Sequence, residues 1–145
     1  MWQSEFSILA PASPAAVWRL FSNVAGWPRW NAGIEHITLE GPFASGTQFV
    51  MKTPGQPAFT SRLLAVQENV GFTDETVIDD VRVLVDHRIE RTDNGCVRIT
   101  YAATVHGPEA EMIGKAVTED FPQVLHALAT LLRADAPVSR VLSRA

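Results

Sequence analysis

In the stretch VRVLVDHRIER, residues 81 to 91, one parity runs Val81, Val83, Val85, His87, Ile89 and Arg91, so that His87 interrupts an apolar row. An imidazole on the buried face of a strand must find a hydrogen-bond partner or cost stability. Titrating near neutrality, it could orient a ligand carbonyl or exchange a proton. It could equally be a core histidine satisfied by the backbone. Tyr101, the only tyrosine, lies in VRITYAATV, residues 97 to 105, on one parity with Val97, Ile99, Ala103 and Val105. A phenol placed beside His87 could polarise a carbonyl or stabilise an enolate; its ring could also serve as packing. His87 and Tyr101 are the candidate catalytic residues.

The remaining polar candidates depend on strand or helix phase. Arg62 interrupts AFTSRLLAV. Facing inward with Thr60 and Leu64, it would be a guanidinium suited to a carboxylate or another ligand oxygen. With Phe59, Ser61, Leu63 and Ala65 inward instead, it is exposed, and this second phase is the expected one. Asp74, Glu75 and Asp86 are read as solvated charges of the sheet face. Asp120 falls beside the apolar stripe of the last helix and is a candidate for a pocket mouth, whereas Glu119 and His126 fall away from the stripe. No Gly-rich phosphate loop, HExxH pattern or nucleophile elbow occurs. His36, His87, His106 and His126 lie on different elements without ligand spacing, so no metal site and no cofactor are expected. Cys96 is the single cysteine; it allows no internal disulfide and carries no evident activation.

The chain has 145 residues, 46% hydrophobic and 19% charged, with a net charge of -4. This fits one globular domain over residues 1–145 with a substantial core. The charges are mixed along the chain, which gives no reason to expect nucleic acid or an anionic membrane as partner. No run is long and apolar enough for a membrane-spanning helix, and MWQSEF begins without the pattern of a secretory signal. A cytoplasmic setting is the expectation.

The elements that must position these residues read as follows. QSEFSILA is a strand with Phe6 and Ile8 on one face. Ser13 is an N-cap and Pro14 the first residue of a short helix, with Val17, Trp18, Phe21 and Val24 as its stripe. In GWPRWN, residues 26 to 31, Gly26 and Pro28 break that helix before a second short turn. Strands are expected near 34–41, 46–53, 58–67, 71–78, 81–92 and 96–106, separated by turn-rich GPFASG, TPGQP, QENVG, IDD and TDNG. From about 109 to 134 the apolar residues Ile113, Val117, Phe121, Val124, Leu128 and Leu131 recur at helical spacing, with Pro122 as a kink. The expected fold is α+β: a curved antiparallel sheet of about seven strands around a long C-terminal helix, with two short helices after strand 1.

The segments ILAPASPAAVWRLFSNVAGWPRWNAGIEHITLEG, GTQFVMK and VDHRIERTDNGCVRITYAATVHGP, followed by the long last helix, resemble the START-like helix-grip superfamily. Within it they are similar to the polyketide cyclase/dehydrase and lipid-transport branch. The resemblance implies an apolar pocket beneath the helix. The expected lining is Trp30, Phe49, Met51, Val85, His87, Ile89, Ile99, Tyr101, Val117, Phe121 and Val124. It implies a hydrophobic small molecule, such as a lipid or polyketide, as the partner. Two other readings stay open: a polyketide cyclase/aromatase-type enzyme using the polar pocket residues, and a co-chaperone-like protein-interaction module. A homodimer is compatible with the residues and required by none. Trp30 is expected to close one end of the pocket, and Trp27 to brace the helix pair against the sheet.

Overall fold

The computed structural model describes the backbone of residues 1–144 and the side chains of residues 1–134. Seven strands form one antiparallel sheet: β1 (Trp2–Ala10), β2 (His36–Leu39), β3 (Gln48–Lys52), β4 (Phe59–Gln67), β5 (Gly71–Ile78), β6 (Val81–Arg91) and β7 (Val97–His106). Their spatial order is β1-β7-β6-β5-β4-β3-β2, so β2 to β7 form a meander and β1 closes the far edge against β7. After β1 come α1 (Pro14–Ser22) and a 3-10 helix (Val24–Arg29). After β7 come α2 (Ala110–Thr118) and α3 (Phe121–Arg144). This is the helix-grip architecture. No helix among the described residues is long and apolar enough to cross a membrane.

Local chemistry accounts for the boundaries. Ser13 caps α1 by accepting the Ala16 amide on its hydroxyl at 3.2 Å, and Pro14 follows it in the first turn. Asp79 and Asp80 form a two-residue turn between the paired Ile78 and Val81, with Asp79 in the left-handed region at φ 54°. A short acidic side chain tolerates that conformation better than most. The C-terminal helix differs from the expectation of one kinked rod ending near residue 134. It is two helices, interrupted at Glu119 and Asp120, and the second runs to Arg144. Pro122 explains the break without sitting at a kink. Lacking an N–H, it fits the first turn of a new helix, and the first bond of α3 runs from the Val124 amide to the Asp120 carbonyl at 3.0 Å.

One register feature changes which side chains face the core. β4 carries a bulge: Leu63 pairs with Asp74, yet the next pair is Ala65 with Thr73, leaving Leu64 extra. Ser61 and Leu63 therefore face inward as expected, but Ala65 turns outward and Val66 replaces it beside Phe72. Arg62 lies on the outer face, half exposed, 3.2 Å from Glu75, which also pairs with Arg82.

The core sits asymmetrically. α3 packs on β1, and α2 packs on β7 and β1. Gly114 makes the α2 approach possible, because a Cβ there would overlap the indole of Trp2. The helices thus cover one side of the concave face. Near β3 to β6 the 3-10 helix and its following loop stand over the sheet, and Trp27 ties them down. Its ring stacks on Phe72 (5.6 Å between centroids, 20° between planes), and its indole N–H donates to the Phe21 carbonyl at 2.9 Å. Trp27 and Trp30 are both buried, 6.1 Å apart, and Trp30 also leans on Phe21 at 6.5 Å.

Two predictions test this architecture. Trp27→Ala removes a buried indole and its hydrogen bond; denaturant unfolding should show a loss of about 3–5 kcal/mol. At Gly71, opposite Arg88, a Cβ would strike the backbone carbonyl of His87. Gly71→Ala should cost about 1–3 kcal/mol by the same measurement, since backbone rather than a flexible side chain must yield. An unchanged unfolding midpoint would contradict the close β5–β6 pairing.

Candidate functional site

Between the uncovered part of the sheet, the 3-10 helix and the α2–α3 junction lies a cavity of about 1350 Å³. Its floor is the inward row of each central strand: Phe49 and Met51 from β3, Ser61 from β4, Phe72, Asp74 and Thr76 from β5, Val83, Val85 and His87 from β6, and Tyr101 from β7. Trp27 and Trp30 form one end, and Ile113, Val117, Phe121 and Val124 form the roof. Exposed Arg29, Asp79, Asp80, Glu109 and Glu119 stand at the mouth.

Of the positions expected at the pocket, Trp30, Phe49, Met51, Val85 and His87 line this cavity, as do Tyr101, Val117, Phe121 and Val124. Ile89 and Ile99 do not. They are buried and paired with each other, beyond the end of the cavity in the packed core. Asp74 needs a correction. Expected among the solvated sheet charges, it faces inward, because it shares the parity of Phe72 and Thr76 on β5. Its side chain is only 14% exposed. Asp86 stays on the outer face, where it accepts a hydrogen bond from Thr73 at 2.9 Å. Glu75 is also outside, held below the usual carboxylate range by its hydrogen bond from Arg82 and by the charge of Arg62. Asp120 reaches the cavity from the helix junction, near Gly33 of the loop after the 3-10 helix.

Asp74, His87 and Tyr101 form the polar group of the cavity. His87 Nδ1 lies 3.2 Å from the Phe72 carbonyl, which can only accept, so Nδ1 carries the proton. Nε2 is then a bare acceptor, 3.9 Å from Asp74 Oδ2, too far for a direct hydrogen bond. The imidazole also stacks on Phe72, with centroids 3.9 Å apart and planes 10° apart, and meets Tyr101 edge-on at 4.5 Å. Burial in these apolar walls drives the His87 pKa down to about 3, so the ring is neutral. The same desolvation pushes Asp74 up to about 7. Tyr101 is pushed up by burial and by the charges of Asp74 and Asp120, so it keeps its proton. Its hydroxyl makes no hydrogen bond among the described residues. Beside this group the hydroxyls of Ser61 and Thr76 bond each other at 2.6 Å.

Chemically, the wall offers a tyrosine donor, a neutral imidazole acceptor and a carboxyl group that gains or loses a proton near neutrality. His87 is a weak base in this setting. Asp74, which the sequence reading placed in solvent, is the group whose pKa suits acid–base work.

Known proteins share this architecture. The model superposes on norcoclaurine synthase from Thalictrum flavum, a structure holding dopamine and hydroxybenzaldehyde, with a TM-score of 0.74 at 16% identity, covering 92% of this chain and 87% of that one. Protein MLL2253 from Mesorhizobium loti gives a TM-score of 0.77 at 16% identity, covering 92% and 98%. The di-domain ARO/CYC BexL of the BE-7585A biosynthetic pathway gives 0.71 at 19% identity, covering 90% of this chain and 46% of that protein. At such identities the likeness is one of fold. A sequence comparison with curated proteins finds no match. The family model for polyketide cyclase/dehydrase and lipid transport, however, matches residues 1–133, nearly the whole chain that builds the sheet, the cavity and its roof, and the chain belongs to that family.

Proposed function

We propose that the protein binds an apolar small molecule in the cavity between sheet and helices, with Asp74, His87 and Tyr101 orienting its polar group. The observation that carries this reading is the cavity itself: about 1350 Å³, walled by tryptophan, phenylalanine and aliphatic side chains, with a few polar groups converging on one wall. Ligand sites have this composition, and the cavity exceeds their typical volume of about 300–1,000 Å³, which leaves room for a bulky ligand. An interaction module would instead present an apolar surface. Here the large exposed hydrophobic residues are scattered, with Leu9 on β1, Val70 between β4 and β5, Val77 and Ile78 at the end of β5, and Met112 on α2.

The polar wall favours a second reading, that of an enzyme of the cyclase or aromatase type. Tyr101 would donate to a ketone oxygen while Asp74 moves a proton, and the cavity would hold the chain in a folded, reactive conformer. The two readings separate on one variant. In a binder, Asp74→Asn changes affinity alone. In an enzyme acting on a polyketide-like substrate, turnover falls by about a hundredfold or more while affinity changes less.

Native mass spectrometry of the purified protein, with thermal-shift screening of apolar aromatic compounds, tests the shared claim. A retained small molecule, or stabilisation of a degree or more that a bulky Val124→Trp reduces, is the expected result. If no apolar compound binds, both readings fall.

Linkage provides a further test that needs no ligand. The Asp74 pKa is higher in the folded chain (about 7) than its ordinary 3.8. Its contribution to stability is therefore present at low pH and is lost as the pH rises toward 7. For His87 the folded pKa is the lower one, about 3 against 6.5, so protonation costs stability as the pH falls below about 6.5. The two dependences oppose each other between about pH 4 and 6.5. Asp74→Asn removes only the first. The stability of the variant relative to the wild type should rise by on the order of 4 kcal/mol between about pH 4 and pH 8. A difference independent of pH, measured by urea unfolding, would contradict the buried placement of Asp74.

A further inference from the structure

The charges around the cavity are one-sided. The carboxyl groups lining it are Asp74 and Asp120 within, and Asp79, Asp80, Glu109 and Glu119 at the mouth. Among the described lining residues the permanent cation is Arg29, exposed at the mouth. Arg62, the strand residue that could have met an anionic ligand, is on the outer face and engaged by Glu75. Within the polar wall, acceptors dominate: Asp74, the bare Nε2 of His87, and the oxygens of Ser61 and Thr76. His87 and Tyr101 are both more than nine-tenths buried, and neither Nε2 nor the tyrosine hydroxyl has a hydrogen-bond partner among the described residues. The nearby walls include the indoles of Trp27 and Trp30, aromatic rings of the kind that attract cations.

We propose that the ligand is a cation: an aromatic or alicyclic skeleton whose protonated amine sits against Asp74 and His87 Nε2, with the ring among Trp27, Trp30 and Phe72. An ammonium has N–H donors and no acceptor, which matches an acceptor-rich wall. A carboxylate-bearing lipid would meet buried acidic groups with no internal cation to offset them. The acidic mouth adds attraction at long range, favouring entry of a cation over an anion. The proposal rests on the reading of the cavity as a small-molecule site and names the chemical class it selects.

Binding is then coupled to the ionisation of Asp74. The titratable groups nearest to it are His87 from β6 and Tyr101 from β7, while Leu63 of β4 and Val85 of β6 pair beside it, and Asp120 from the helix junction shares the cavity and acts on Tyr101. No cation among these holds the carboxylate charged, and its pKa lies at about 7. A bound ammonium supplies that charge, so its affinity grows as Asp74 ionises.

The test compares three probes on one skeleton, naphthylethylamine, naphthylethanol and naphthylacetate, by isothermal titration calorimetry between about pH 5.5 and pH 8. The amine is expected to bind most tightly and to gain about tenfold or more in affinity across that range, while the alcohol does not gain. Asp74→Asn should remove the gain, and Asp120→Asn should reduce the amine's advantage while keeping its pH dependence. If the alcohol or the acetate binds as well as the amine, the proposal is overturned and the apolar cavity reading survives. Binding of none of the three to the folded protein overturns both. Should Asp74→Asn fail to fold, the wild-type profile decides: an amine affinity that is flat with pH sinks the proposal.

Discussion

Phe72 is the point at which fold and cavity are joined. One face of its ring carries the Trp27 indole, and the His87 imidazole stacks on it within 3.9 Å. Phe21 of α1 meets it edge-on at 5.2 Å, and Phe43 does the same at 5.2 Å. Its backbone carbonyl accepts the His87 Nδ1 proton. One residue therefore anchors the 3-10 helix to the sheet, sets the histidine tautomer and fixes the ring plane. The surrounding aromatic contacts each add little beyond their burial, about 0.5–1.5 kcal/mol. Together they hold an imidazole in one orientation in a wall that would otherwise gain nothing from a polar group. Gly71 belongs to the same arrangement, since its missing side chain lets β5 lie against the His87 carbonyl.

The cavity follows from how the helices divide the sheet. α2 and α3 settle on β1 and β7, where Trp2 and Gly114 interlock and Leu125, Leu128, Ala129 and Leu132 are buried. A helix laid along that edge cannot also reach β3 to β5 across a curved sheet. The break at Glu119 and Asp120 falls within the roof, and both residues line the cavity. Trp27 and Trp30 close one end without filling the space between. The cavity is thus a geometric remainder, and its polarity is set by whichever strand residues happen to lie beneath it.

Much of the fold was legible in the sequence because parity along long strands is a strong signal. Val83, Val85, His87 and Ile89 alternate against neighbours that are charged except for Leu84, and all four are buried as their pattern implies. Pro14 after Ser13 marked the start of α1 for reasons of hydrogen bonding alone. Asp74 was missed because β5 has no such contrast: GFTDETVI offers Phe72 and Ile78 on one parity and Val77 on the other, with threonines on both. Only pairing with β6, where Phe72 opposes His87, resolves the phase. The reversal at Ala65 was equally hidden, since a bulge is a property of two strands and leaves no mark in one. For the last helix, six apolar residues at helical spacing suggest one stripe, although two helices interrupted at Glu119 and Asp120 carry them. Ile113 and Val117 line the cavity, whereas Leu128 belongs to the packed core.

The residue least legible in the sequence is the one that most restricts what the cavity can hold. A carboxyl group in an apolar wall is unfavourable when ionised and alone. Among the described residues no buried arginine pairs with Asp74 and no hydrogen-bond donor comes close enough to hold it charged, so the group titrates at about 7. His87, with its proton fixed on the opposite nitrogen, offers an acceptor rather than a donor, so it cannot serve as the missing partner. Tyr101 is the only donor of the three, and its own pKa is raised by the same acids. Packing alone would be better served by a valine at position 74, which is free of desolvation cost. An acid left without a charged partner in such a wall is neutral until a cation from outside the chain pairs with it, and the aromatic side chains that line the same cavity suit a partner that is bulky as well as polar.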